Sequence, residues 1–152
     1  MVKVNWNYLP ANGESAIVIP IAVEADEQWS FVQNKSCQRW LWVVLGHDTH
    51  EVIAYLFGSR KEEVLERLVR LLKPLPIDVW FTDGLQAYQK RLDSEKRRIG
   101  KHNTQKIERF FLTLRTPIKR LARRTICFSK SASMHDAVIG IFINRYHFGK
   151  NK

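Results

Sequence analysis

Three carboxylates stand apart from the other acids of this sequence by where they fall. Asp26 lies inside an alternating apolar and polar stretch, Asp83 ends the short apolar run IDVWFTDG, and Glu108 is the one acid in KHNTQKIERFFLTLR, residues 101–115. Carboxylate oxygens are hard donors, and three brought together repel one another unless a hard cation such as Mg2+ or Mn2+ neutralises them. Two such ions roughly 3.5–4 Å apart clamp the attacking and leaving oxygens of a phosphodiester during in-line displacement. Each acid also has a plainer reading. Asp83-Gly84 suits a turn with a helix cap, Asp26 suits a strand's solvent face, and Glu108 suits an ion pair with Arg109 or another nearby base. Residue types by themselves leave both readings open.

Whether the acids converge depends on the elements that carry them. Residues 1–16, with Pro10, Asn12 and Gly13, read as an irregular N-terminal arm, and one domain is expected over 17–152, its folded part starting near Ile17. VIPIAVEADEQWSFV is apolar to Val23 and then alternates, with Glu24, Asp26 and Gln28 on one face and Glu27 and Trp29 on the other, the two-residue period of a strand. QRWLWVVLGHD and HEVIAYLFG flank a Gly-His-Asp-Thr-His turn and predict a hairpin, so three antiparallel strands follow one another. From Arg60 the period becomes helical: Val64, Leu65, Leu68, Val69, Leu71 and Leu72 share a face until Lys73-Pro74. IDVWFTDG predicts a buried strand, LQAYQKRLD a second helix, and Arg97 to Ile99 a brief strand. From about Thr104, Ile107, Phe110, Phe111, Leu114, Ile118 and Leu121 keep a helical period past Pro117, where a kink or break is expected. SKSASMHDAVIGIFINRYHFG predicts a last helix capped by one of its serines. This order is that of an α/β, RNase H-like mixed sheet: three antiparallel strands, then crossover strands, flanked by helices. With the first and fourth strands adjacent, Asp26 and Asp83 meet at one edge, and a helix packed across it brings Glu108.

At 152 residues, 45% hydrophobic and 11% aromatic, the chain is large and apolar enough for a single core. Its net charge of +10 is local: residues 96–130 hold twelve Lys or Arg and one acid, which leaves the remainder near −1. Such a patch suits a polyanion. No segment approaches the roughly 18 apolar residues of a membrane span, and MVKVNWNYLP lacks a signal's apolar core, so a nucleic acid and a cytoplasmic location are expected. Cys37 and Cys127 have no metal or disulfide spacing and are expected to be buried as small apolar residues. Trp29, Trp40, Trp42 and Trp80 are expected to fill the core or line a helix contact, and His47, Asp48 and His50 to be exposed turn polarity.

DEQWSFV with KSCQRWLW, FTDGLQAY, GKHNTQKIERFFLTLR and RLARRTICFSKSASMHDAVIG follow in that order between about Val23 and Phe148. Together they resemble the catalytic part of insertion-sequence transposases of the InsB type, a branch of the DDE transposases. The resemblance implies a polynucleotidyl transferase that uses two Mg2+ or Mn2+ ions, cuts double-stranded DNA at element ends and joins the freed 3′-hydroxyl to target DNA. The catalytic and metal-binding triad carries over to Asp26, Asp83 and Glu108, with 56 residues between the first pair and 24 between the second. Asp26 and Asp83 then bridge the two ions and Glu108 completes one site. A base commonly follows the triad Glu by seven positions, here Arg115, and seven helical residues turn about 700°, within about 20° of two full turns, so Glu108 and Arg115 share a face. Lys101, Lys106, Arg109, Arg115, Lys119, Arg120, Arg123, Arg124 and Lys130 are expected to meet DNA phosphates, and His102 to contact DNA or orient a water. Glu24 is a rival for the first acid, since it shares the face of Asp26; Glu27 points away. Phe111 stands where relatives often have Asn, and Pro117 interrupts a helix that is often continuous.

Relatives typically join this region to an upstream zinc-binding and helix-turn-helix region, so the chain is expected to cut or join DNA without recognising element ends. A homo-oligomer in the active complex and association with the nucleoid are further expectations. Two other functions fit the composition: a non-catalytic DNA-binding fragment that modulates the full-length transposase, and an RNase H-like nuclease acting on RNA or hybrid duplexes. The long basic helix after Glu108 favours DNA transposition.

Overall fold

The alternation in EADEQWSFV belongs to a strand most of whose residues are buried. A computed structural model describes residues 2–4, 20–122 and 127–148. Six strands, β1 (Val2–Val4), β2 (Ile21–Val32), β3 (Asn34–Gly46), β4 (Val52–Gly58), β5 (Ile77–Thr82) and β6 (Arg97–Ile99), form one mixed sheet in the order β1-β4-β3-β2-β5-β6. β2, β3, β4 and β1 pair antiparallel in turn. β5 joins β2 in parallel and β6 joins β5 in parallel. The hairpin and the parallel crossover read from the sequence are both present, and β6 occupies the three residues expected of it.

Among the described residues, four helices cover the two faces: α1 (Glu62–Leu72), α2 (Gln86–Arg91), α3 (Gln105–Arg115) and α4 (Ala132–Tyr146). On one side Val23, Ala25, Trp42 and Val44 meet Leu65, Leu68 and Leu72 of α1 and Tyr88 of α2. On the other, Val43, Leu45, Tyr55 and Phe57 meet Ile107, Phe110 and Leu114 of α3 and Ile139 and Ile143 of α4. A fully buried aliphatic or aromatic side chain contributes about 1.5–3 kcal/mol, several times a residue's helix propensity. Packing on the sheet therefore holds these short helices. α1 stops at Leu72, just before Lys73-Pro74, and Ser131 caps α4 by accepting from the Met134 N–H at 3.4 Å. α3 stops at Arg115; Pro117 has no N–H to continue the ladder, and the chain passes through a short 3-10 turn at Lys119–Leu121. Ile118 and Leu121 remain buried in the same core as α3, so the break leaves the apolar face intact.

Two expectations fail. The N-terminal arm is not irregular throughout, because Val2–Val4 pairs with β4 and Val4 is buried. Three residues carry too little period to be read as a strand, and the open edge of β4 supplies the partners. Trp6 and the rest of the arm lie outside the described residues. Cys37 and Cys127 are exposed rather than buried: Cys37 lies in the first part of β3, where Asn34 to Gln38 are all exposed. Trp42 and Trp80 are buried, whereas Trp40 is half-buried with the Arg60 guanidinium 4.7 Å above its ring. No helix among the described residues is long and apolar enough to cross a membrane.

Candidate active site

The pleat of β2 sends Val23, Ala25 and Glu27 toward α1 and α2, and Glu24, Asp26, Gln28 and Ser30 toward α3 and α4. β2 and β5 run in parallel with Val23 opposite Trp80 and Glu24 opposite Phe81. Continuing that register two residues sets Asp26 beside Asp83, which follows the last residue of β5. Asp83 Oδ1 accepts from the Leu85 N–H at 2.9 Å and shapes the turn into α2. A carboxylate has about four acceptor positions, so this turn role and metal ligation are compatible.

Glu24 places the third acid. It is fully buried, accepts from the Ile107 N–H at 2.9 Å through Oε2, and pairs with His47 Nδ1 at 2.8 Å through Oε1. Thr104, at the N-cap of α3, makes no side-chain cap. Glu24 therefore satisfies an orphan N–H of the first turn from a neighbouring strand and puts its charge at the positive end of the helix. The rival for the first acid is thus turned to positioning α3, and His47 is its partner rather than plain turn polarity. The next residue along α3, Glu108, and Arg115 two turns later open on one cavity of about 270 Å³, lined also by Asp26, Gln28 and Phe111. The shared face expected for Glu108 and Arg115 is present, and Phe111 packs into the core beneath it.

Burial is the main cause that raises the Asp26 carboxyl to a pKa of about 7, helped by the negative charges of Glu27, Asp83 and Glu108 and opposed by a 2.8 Å hydrogen bond from the Glu27 N–H. Carboxylate oxygens of Asp26, Glu27 and Asp83 come within 4.8 Å of one another. Glu27 lies on the other face of β2, as its place in the alternation predicts. Thr82 is the last residue of β5, and beyond it no sheet separates the faces, so Asp83 is reached from both. Arg60 donates through Nε at 3.1 Å and Nη2 at 2.9 Å to Glu27 Oε1, and the Tyr88 hydroxyl donates to Oε2 at 3.0 Å. Burial nonetheless raises the Glu27 pKa. The only sequence sign of this residue is a third acid in one apolar strand, where charge needs a partner. Hard oxygen donors this close suit Mg2+ or Mn2+, so the residues present fit a divalent cation.

The sequence profile described as IS1 transposase matches residues 18–149. The chain belongs to the IS1 transposase family. It is 48% identical over 125 residues to the insertion element iso-IS1n protein InsB of Shigella dysenteriae, covering 82% of this chain and 95% of the relative. It is 42% identical over 128 residues to the insertion element IS1 protein InsB of Shigella sonnei, covering 84% and 98%, and equally to the insertion element IS1 4 protein InsB of Escherichia coli K12, covering 84% and 77%. The InsB resemblance read from four sequence blocks is borne out, and with it a transposase role.

Around the acids of this IS1-family chain, Lys101 and His102 are exposed on the 3-10 turn that enters α3, and Arg109, Lys119 and Lys130 are also exposed. Arg115 and Arg120 are half-buried. The Lys106 ammonium donates to the His47 carbonyl and fastens the hairpin turn to α3, so it faces the protein more than the solvent. Arg123 and Arg124 lie outside the described residues. A larger cavity of about 520 Å³, between α1, β5 and α2, is lined by Arg70, Lys90, Arg91 and Lys96 and contains none of the three acids.

Proposed function

We propose that this chain is the catalytic domain of the transposase, with an RNase H-like fold, and that it performs metal-dependent cleavage of DNA followed by strand transfer. The observation that carries the reading is the meeting of Asp26 and Asp83 across the parallel β2–β5 pair, with α3 bringing Glu108 and Arg115 to the cavity that Asp26 lines. Asp26, Asp83 and Glu108 would hold divalent ions, and Glu27 stands beside Asp26 and Asp83. Ions bound there supply Lewis-acid stabilisation of the charge that builds on the phosphodiester oxygens. Glu24 fixes the height and direction of α3, Arg60 and Tyr88 hold Glu27 in place, and Arg115 draws in a DNA phosphate. In the first step a water oxygen bonds to phosphorus as the bond to the 3′ oxygen breaks, and that oxygen leaves as a hydroxyl. In the second the oxygen of that hydroxyl bonds to a target phosphorus as the target's own P–O3′ bond breaks, and the target strand leaves with a 3′-hydroxyl that takes up the proton. The exposed bases hold duplex DNA largely without regard to sequence.

Asp83→Asn is the test. It removes a charge and keeps the Oδ1 acceptor of the turn, so duplex binding should persist while Mn2+-dependent cleavage and strand transfer are lost. Undiminished transfer sinks the assignment, and a wild-type chain that binds without cutting under any metal points to the DNA-binding fragment.

A further inference from the structure

Gln28 is only 4% exposed, lies on the Asp26 face of β2 one pleat farther along, and lines the cavity with Asp26, Glu108 and Arg115. Among the described residues, its Nε2 and Oε1 and the Nε of Arg115 are buried side-chain atoms without a hydrogen-bond partner. Buried polar groups are nearly always paired, and an orphan inside a site calls for a ligand. The point does not depend on which way the carboxamide is turned, since both of its ends are unpaired. The unmet capacity is two donor groups, the amide NH2 and the Arg115 Nε–H, and one acceptor, the amide oxygen. A phosphodiester offers only acceptors and leaves Oε1 unpaired. A phosphodiester together with a hydroxyl supplies acceptors for both donors and one O–H for the amide oxygen.

We infer that Gln28 contacts the substrate, its NH2 and the Arg115 Nε–H donating to non-bridging oxygens of the scissile phosphodiester while its carbonyl oxygen accepts from the attacking hydroxyl. This rests on the catalytic reading above and adds to it a neutral residue that aligns nucleophile and phosphorus. The same contacts serve both steps, because water and the 3′-hydroxyl each present an O–H.

Gln28→Met keeps the volume and removes both hydrogen-bonding roles of the amide, donor and acceptor, whereas Gln28→Glu keeps acceptors and removes donors. With a short duplex oligonucleotide as probe, Gln28→Met is expected to keep or raise Tm, because an unpaired buried amide is replaced by an apolar group. It should also lower the Mn2+-dependent cleavage rate at saturating DNA by about tenfold or more, and Gln28→Glu should not restore it. In EDTA, Gln28→Met should weaken duplex binding without changing its salt dependence, as a neutral contact releases no counterion. In the unsubstituted protein, the side-chain NH2 resonances of Gln28 should shift when the duplex is added in EDTA. A marked fall in Tm means that the amide is paired within the protein, and unchanged resonances or unchanged binding mean that it holds only a water; each overturns the inference. If Gln28→Met cuts normally while Asp83→Asn does not, Gln28 has no such role and the catalytic reading stands. If Asp83→Asn cuts normally, the catalytic reading falls first.

Discussion

Asp26 is an acid held near neutrality, with a pKa of about 7 where 3.8 is ordinary, chiefly because burial penalises its charge. Between those values the folded, metal-free protein binds a proton that the unfolded chain has released. The protonated group thus favours the fold at low pH, and this contribution is lost as pH rises through about 7. Comparing Tm of the wild type and Asp26→Asn without metal from about pH 5 to about pH 8 should show the wild type losing ground as pH rises, with the difference levelling above 7. A parallel pair of curves contradicts the raised pKa. Divalent cations reverse the preference by binding the ionised form, so added Mn2+ should flatten the wild-type curve. Asp26, Asp83 and Glu108 were legible as candidates from their positions in strand, turn and helix. Glu27 was not, because its approach to Asp83 occurs past the end of β5.

At the scale of elements, the site depends on how α3 is seated. Its N-cap has no side chain of its own to close the first turn, and the buried Glu24 of β2 supplies the acceptor from outside. Glu24→Ala leaves the Ile107 N–H without an acceptor and deprives His47 of its partner. The expected cost is about 2 kcal/mol, a fall in Tm of roughly 4–8 °C for a chain of this size. Glu24→Gln keeps an acceptor for Ile107 and should lose less. An unchanged Tm in Glu24→Ala would show that α3 is held by its apolar face alone. The helix itself was plain in the sequence from Ile107, Phe110, Phe111 and Leu114, as was its interruption at Pro117. The cap was hidden, because Glu24 and Ile107 are 83 residues apart and no periodicity spans that distance.

For the whole molecule, the excess charge gathers in the segment that carries α3 and its flanks, so DNA binding should be strongly salt-dependent. With about five bases each meeting one phosphate, log K for a duplex should fall against log salt with a slope of about −4.5, and Arg109→Ala should reduce its magnitude by about 0.9 for any sequence. A fluorescence anisotropy titration at several salt concentrations measures it, and a slope near zero excludes this face as the DNA surface. Lys106, fastened to the His47 carbonyl, should matter more for Tm than for the slope.

The order of elements, the two faces of β2 and the common face of Glu108 and Arg115 were determined by the sequence itself, because each follows from a local period of two or 3.6 residues. So was family membership, carried by blocks of residues in a fixed order. Tertiary structure decided what distance along the chain conceals: that Glu24 caps α3 instead of joining the acids, that Glu27 reaches them around the end of β5, that Val2–Val4 closes an edge, and that Gln28 is buried with its amide unpaired. Each of these depends on which strands lie side by side and where they stop, and those are long-range pairings that no local pattern encodes.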